Sequence, residues 1–358
     1  MFFTIIIAFI SLMGLIVIHE LGHFFVAKKF GVRVDEFGIG YPPRLYGKKI
    51  GETIYSLNLL PFGAFVRIAG ETENIDDARS FSAKPIWQRA LIIVAGVVSF
   101  WLTAAFLFSI VFSFGTRIAV GDNEQNLENP KVQILAVGPN SPAATAGLKP
   151  GDAILKAKSP NSTVLIGKVK EVQELTAEYN GQEIILTIQR GKDVFDIKIT
   201  PRANPPLGEG PLGIALVRTA LKSYPWYKSP FEGIRATINM TTAVVQGYGQ
   251  MIKNIISKKP AGVELVGPVG TFRLLAEAGK LGASNFLQFI GMIAIYIALF
   301  NILPIPAVDG GKLFFLAIEA IRRKPISEKI EQSVTTVFFM LLLALMVLVT
   351  IKDVMKLF

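Results

Sequence analysis

His19 and His23 are the only histidines in the chain, and they stand four residues apart with Glu20 beside the first. On an α-helix an i, i+4 pair projects from one face about one turn apart, so both imidazoles can reach one tetrahedral Zn²⁺. Glu20 is then placed to act as general base toward a water activated at the metal. The motif lies inside MFFTIIIAFISLMGLIVIHELGHFFVAKKFG, an apolar run long enough to cross a bilayer. Ionisable groups at membrane depth are costly, which makes them functional candidates. A chance H-E-x-x-H on a solvated helix would need a polar face, and the flanks here are Ile, Leu, Val and Phe.

A zinc site needs a third protein ligand. Cysteine is absent, so there is no disulfide framework and no thiolate site, and the donor must be His, Asp or Glu. Asp309 stands at a Pro-rich break in FNILPIPAVDGGKLFFLAIEAI (300–321), followed by Gly310-Gly311. Asp also suits a helix N-cap and Gly-Gly a turn, so residue types alone leave both readings open. Glu36, Glu52 and Glu71 follow the histidines at spacings a zinc enzyme can use, but they fall in a basic loop outside the expected membrane core. Glu319 is more simply paired with Arg322 or Arg323 on its own helix face. Depth favours Asp309, because the cytoplasmic ends of the first and third apolar runs lie at one level.

The chain of 358 residues is 51% hydrophobic and 18% charged, with a mean hydropathy of +0.47. That composition predicts a polytopic α-helical membrane protein with room for one modest soluble domain. Four runs qualify as transmembrane helices: Phe2–Phe25, Ala90–Phe114, Phe286–Leu303 and Thr335–Ile351. The first lacks the basic n-region and small-residue cleavage site of a signal peptide. The formal charge of +10 fits anionic lipid better than nucleic acid, because Lys28, Lys29, Arg33, Arg44, Lys48, Lys49, Arg67, Arg79, Lys84 and Arg89 all lie between the first two runs. No nucleic-acid motif is present. The positive-inside rule places that loop in the cytoplasm, along with Lys312, Arg322, Arg323, Lys324 and Lys329. Both termini and the long middle segment are then outside.

Four regions are expected. Residues 1–114 form a membrane region with the H-E-x-x-H helix, a cytoplasmic loop and the second span. Residues 115–219 form a β-rich domain, 220–284 an amphipathic juxtamembrane segment, and 285–358 a second membrane region carrying the third ligand. In the β-rich part KVQILAV, DAILKA, EIILTIQ and VFDIKIT read as strands and VKEVQELTAEY as one amphipathic helix. Pro139-Asn140, Asn180-Gly181 and Gly191-Lys192 mark turns. Lys222–Lys259, with Trp226, Tyr227, Phe231, Ile234, Ile238 and Val245, fits the membrane surface or a face of the β-rich domain.

HELGH at 19–23, NILPIPAVDGG at 301–311, the span order and one inserted domain together resemble the site-2 protease family of intramembrane zinc metalloproteases, over nearly the whole chain. PNSPAATAGLKPGDAIL (139–155) resembles the PDZ domains of bacterial envelope proteases, which add an extended peptide to a sheet edge. Pro211-Leu212-Gly213-Ile214 is either a carboxylate-binding loop or only the closing strand. A domain that merely blocks access remains the plainer alternative. Gly38–Glu71 resembles the membrane-reentrant β-hairpin of these enzymes, with Ile54, Leu57 and Leu59 alternating ahead of Phe65-Val66-Arg67-Ile68. ELVGPVGTF (264–272) matches a family stretch ahead of the third span.

The resemblance implies Zn²⁺ held by His19, His23 and Asp309, with Glu20 as catalytic acid and base. Asn301 would bind substrate backbone or the developing oxyanion, or else satisfy carbonyls freed by Pro304 and Pro306. The family's G-P-x-x-N motif is lost in span two, where Val97 and Phe100 replace Pro and Asn. That departure touches expected substrate contacts but not the metal or base. The implied activity is hydrolysis of peptide bonds in transmembrane segments of single-pass proteins or in signal-peptide remnants, in the inner (cytoplasmic) membrane. The implied active site is near the cytoplasmic face and the PDZ-like domain outside. Expected partners are those substrates, the lipid bilayer and peptide C-termini at the PDZ-like domain, and no nucleic acid. The alternative is a catalytically inactive membrane scaffold that binds peptides through its PDZ-like domain.

Overall fold

The computed structural model describes residues 2–71, 75–160, 162–206, 208–257 and 266–356. In chain order α1 (Phe2–Lys29), β1 (Val34–Ile50), β2 (Thr53–Ile68) and α2 (Ile86–Phe114) come first. β3 (Thr116–Ala119), β4 (Glu128–Val137), α3 (Pro142–Thr145), β5 (Ala153–Lys158), β6 (Thr163–Leu165), α4 (Val169–Glu178), β7 (Ile184–Arg190), β8 (Asp193–Ile199) and β9 (Ile214–Lys222) follow. The chain closes with α5 (Ser229–Ile256), α6 (Pro268–Lys280), α7 (Ala283–Asn301), α8 (Asp309–Arg322) and α9 (Glu328–Met355). They make two compact units, Met1–Val111 with Trp226–Phe358, and Phe112–Pro225.

In the first unit α1, α2, α7 and α9 are long and apolar enough to cross a membrane, as expected. Each runs beyond or shifts from its apolar stretch; α2 starts at Ile86, ahead of Arg89, and α9 at Glu328, because helix continues into polar residues past the hydrocarbon. The expected hairpin is more folded than two strands. Glu36 to Ile39 pair on one side with Ala64 to Arg67 and on the other with Ile54 to Leu57, while Tyr46 to Ile50 turn back onto Thr53 to Leu57. Residues 64–68 therefore form one edge of this sheet, and α1 lies against that edge. Phe24 of α1, Phe37, Val66, Ile92 and Ile93 of α2 and Leu316 of α8 share one apolar core.

α5 is the expected amphipathic segment; Ser229, Gly233, Thr237 and Val244 are buried, whereas Phe231, Ile238 and Val245 are exposed. Lys258 and Lys259 of that segment, and Glu264 and Leu265 of the ELVGPVGTF stretch, lie outside the described residues. α6 begins within the remainder of that stretch, and the Gly270 N–H near its start donates to Asp353 Oδ2 at 2.7 Å.

The second unit is a seven-stranded sheet in the order β3-β9-β4-β5-β7-β8, with β6 paired to β5. Ile184, Leu186 and Ile188 alternate along β7 and are fully buried, as a strand period of two requires, and Val172 and Leu175 of α4 cover them. The four strands and the helix read from the sequence are present as β4, β5, β7, β8 and α4. β3 and β6 are too short to carry a pattern, and the residues after Gly213 do form the closing strand, β9.

Candidate metal centre

His19 and His23 lie one turn apart on α1 with their Nε2 atoms 3.3 Å apart. Room for both rings comes from α2. A Cβ added at Gly96 would stand 2.3 Å from His23 Nε2 and 2.8 Å from His19 Cε1. The His23 Nδ1–H donates to Ile92 O at 2.8 Å; a carbonyl only accepts, so the proton sits on Nδ1 and the Nε2 lone pair is free for a metal.

Asp309 arrives from the other end of the chain. It is the first residue of α8, and the N-cap position belongs to Val308, so the capping alternative does not hold. Its carboxylate turns to the histidines instead, with Oδ2 3.4 Å from each Nε2. The turn that aims it depends on the two following glycines. A Cβ at Gly310 would lie 2.1 Å from Leu303 O, and one at Gly311 would lie 2.3 Å from Ile305 O. The proline-rich stretch and the Gly-Gly pair are thus one device.

Two nitrogens and one carboxylate oxygen are a hard-to-borderline donor set suited to Zn²⁺. With bonds of about 2.0–2.1 Å, tetrahedral ligand atoms stand about 3.3–3.4 Å apart. The observed separations of 3.3, 3.4 and 3.4 Å match that spacing, so these residues fit the ion. Among the described residues this is the one group of three or more candidate ligands close enough to share a metal.

The other acids are engaged elsewhere. Glu36 accepts from Ser56 at 2.6 Å and pairs with Arg44 at 2.7 Å. Burial alone would raise its pKa, but those partners and Arg67 hold it below the usual carboxylate range. Glu52 pairs with Lys28 and Arg79 at 2.5 and 2.6 Å. Glu71 pairs with Lys312 at 2.6 Å. Burial alone would lower the Lys312 pKa, but Glu71 beside it, with Asp309 and Glu20, keeps the ammonium above the ordinary lysine range. Glu319 pairs with Arg89 of α2 rather than with Arg322 or Arg323, because its side chain faces α2 and not along its own helix.

Glu20 accepts the Val66 N–H through Oε2 at 3.0 Å, which ties it to the sheet edge. One strand turn earlier the Gly63 N–H meets Met13 Sδ at 3.1 Å, so β2 is fastened to α1 at two points. Asn301 neither faces this cluster through a hydrogen bond nor serves carbonyls beyond its helix; its Nδ2 donates to Ile297 O at 3.0 Å.

Several parts of the site had no sequence reading: the room made by Gly96, the Ile92 carbonyl, the Val66 amide, the Lys312–Glu71 pair, and the stacking of the Phe100 ring on His19. Gly96 left a trace as the single glycine of α2, and Phe100 as a departure from the motif the resemblance implies.

The family model described as peptidase family M50 matches residues 7–345. A Clostridium perfringens protein named "Putative zinc metalloprotease" is 37% identical over 98% of both chains. A Synechocystis protein of the same description is 31% identical over 96% of this chain and 92% of its own. The Bacillus subtilis "Regulator of sigma-W protease RasP" is 28% identical over the full length of both. Fold, donor set and these matches define a zinc metalloprotease. The chain belongs to peptidase family M50, the site-2 proteases.

Proposed function

We propose that the chain hydrolyses peptide bonds within or near the membrane, in transmembrane segments of single-pass proteins or in signal-peptide remnants. The observation that carries this reading is three donors at tetrahedral spacing beside a carboxylate, on helices whose surroundings are apolar. His19, His23 and Asp309 hold the zinc. Zinc held there would supply Lewis-acid polarisation of the scissile carbonyl and activation of water. Glu20 is the acid and base: the Val66 N–H fixes Oε2, and the carboxylate takes a proton at Oε1 and returns it to the leaving amine. Asn301 in its present rotamer serves its own helix, and a substrate contact requires it to leave Ile297 O.

A transmembrane helix hides its amides in i→i−4 bonds and must unwind before attack. The edge at residues 64–68, which already meets Glu20, offers strand-type partners to the unwound segment. Substrates are therefore helices with residues that weaken helical structure. The second unit is read as a PDZ-like domain that binds C-termini or rejects bulky substrates. Supporting this is a groove of about 330 Å³ between α4 and β9, lined by Val172, Thr176, Leu212, Ile214 and Leu216. The placement is the inner (cytoplasmic) membrane, multi-pass, with the zinc near the cytoplasmic face and the PDZ-like domain outside, which rests on the distribution of Lys and Arg. The name of the Bacillus relative, a regulator of sigma-W, favours regulated intramembrane proteolysis. An inactive scaffold would have no need of the complete donor set.

Purified full-length chain should carry about one zinc and cleave a membrane-embedded substrate. Glu20→Gln should keep the metal and abolish cleavage; cleavage at the wild-type rate would rule the mechanism out.

A further inference from the structure

The two zinc-site imidazoles are held differently. His23 has the usual arrangement, its second ring nitrogen bonded to a backbone carbonyl, Ile92 O at 2.8 Å. His19 Nδ1 is buried beside the Gly96 carbonyl, outside the geometry of a full hydrogen bond. The His19 ring instead lies flat on Phe100, centroids 4.7 Å apart and planes at 16°. The His23 ring stands roughly perpendicular to it, centroids 4.7 Å apart and planes at 81°.

We propose that Phe100 is a positioning residue for His19, its ring face setting the imidazole plane that aims Nε2 at the zinc, in place of the hydrogen bond that orients His23. This rests on His19 being a zinc ligand.

Three features of α2 support it. Ile92, Gly96 and Phe100 are spaced four apart, so they line one face. Along that face Ile92 O bonds His23, Gly96 makes room for both rings, and Phe100 bears on His19. Phe100 is 1% exposed and so has no room to swing away, which makes it a fixed surface rather than a mobile cover. The helix is also continuous here, running unbroken from Ile86 to Phe114, with the Ser99 hydroxyl donating to Gly96 O and the Thr103 hydroxyl to Ser99 O. Phe100 thus forms an apolar wall of the metal site.

The stack also favours the loaded state. An imidazole that donates its lone pair to a cation becomes electron-poor, and an electron-poor ring binds the negative face of a phenyl more strongly. The contact therefore adds to zinc affinity rather than only to folding.

The test is zinc affinity of the full-length chain in detergent, measured by chelator competition, with the absorption bands of the Co²⁺-substituted protein as a second readout. Phe100→Leu keeps an apolar, somewhat smaller side chain but has no ring face; it should weaken zinc about 10- to 100-fold and alter the Co²⁺ bands. Phe100→Tyr should stay within about threefold of wild type, because the face is retained. Phe108→Leu, an equally interior change on the same helix away from the site, should leave both readouts unchanged. If Phe100→Leu does not accumulate, Phe100→Met carries the same expectation. Wild-type zinc affinity and Co²⁺ bands in the aliphatic variant would overturn the proposal, as would equal losses in Phe108→Leu. His23→Ala separates the two claims. Retained zinc there would defeat the site assignment itself, whereas lost zinc there with full affinity in Phe100→Leu would defeat only the role of Phe100.

Discussion

In the unit formed by Phe112–Pro225, Ile154, Ile184, Leu186 and Ile188 are fully buried, while Lys, Glu and Asp occupy its surface. In the other unit Leu341, Leu348 and Met340 of α9 are more than half exposed, and Glu36, Asn58, His23 and Asp353 are buried. One unit hides apolar atoms from water, the other offers them to lipid and encloses polar groups. The difference teaches where information resides in each. In the sheet unit the hydrophobic effect selects the fold, at about 25 cal/mol per Å² removed from water. In the helical unit lipid is as apolar as leucine, so close packing, glycines and polar pairs must select it.

That contrast can be broken or sharpened by substitution. The largest effect is expected at the enclosed polar groups. Glu20→Gln should lower turnover of a membrane substrate by about 10²–10⁴-fold while zinc content stays at one per chain; loss of the zinc as well would mean that Glu20 is structural. Gly96→Ala should follow, since its methyl group would sit 2.3 Å from His23 Nε2; zinc content measured after chelator dialysis should fall with little loss of helix content. Next is the apolar core of the sheet unit. Leu186→Ala should cost that unit about 2–5 kcal/mol in denaturant unfolding, and a loss under about 1 kcal/mol would contradict the packing described. The pair of Arg89 and Glu319, mostly enclosed on both sides, ties α8 to α2. Arg89→Leu should cost about 2–3 kcal/mol, less than a fully buried pair because Glu319 keeps some exposure. Smallest is Leu348→Ala on α9, expected within about 0.5 kcal/mol in bilayer or detergent because the side chain faces lipid in both states. A large loss there would place α9 against protein and erase the contrast.

The same division governs what the residues reveal before folding. The four spans and the alternating strands β4, β5, β7 and β8 are written in local period and composition, so they were legible. H-E-x-x-H is legible for the same reason, because its geometry is that of one helix turn. Asp309 was legible only through depth and resemblance, since its partners are nearly the whole chain away and the turn around it suits a cap equally well. The doubled pairing of Glu36–Ile39 was not legible, because a strand's pattern does not say how many neighbours it has. Glu319 was misassigned to Arg322 or Arg323 because i, i+3 and i, i+4 partners are visible in sequence and Arg89 is not. Phe100 was noted only as a lost motif; its contact with His19 is a property of two helices crossing.

The central claim is that two residues of α1 and one of α8 share a single ion. Zinc titration of wild type and Asp309→Ala, run side by side on full-length protein, tests it most directly. One zinc per wild-type chain is expected, with an affinity at least about 100-fold weaker without the carboxylate. Equal affinity in the two proteins would contradict it and return the third ligand to Glu36, Glu52 or Glu71.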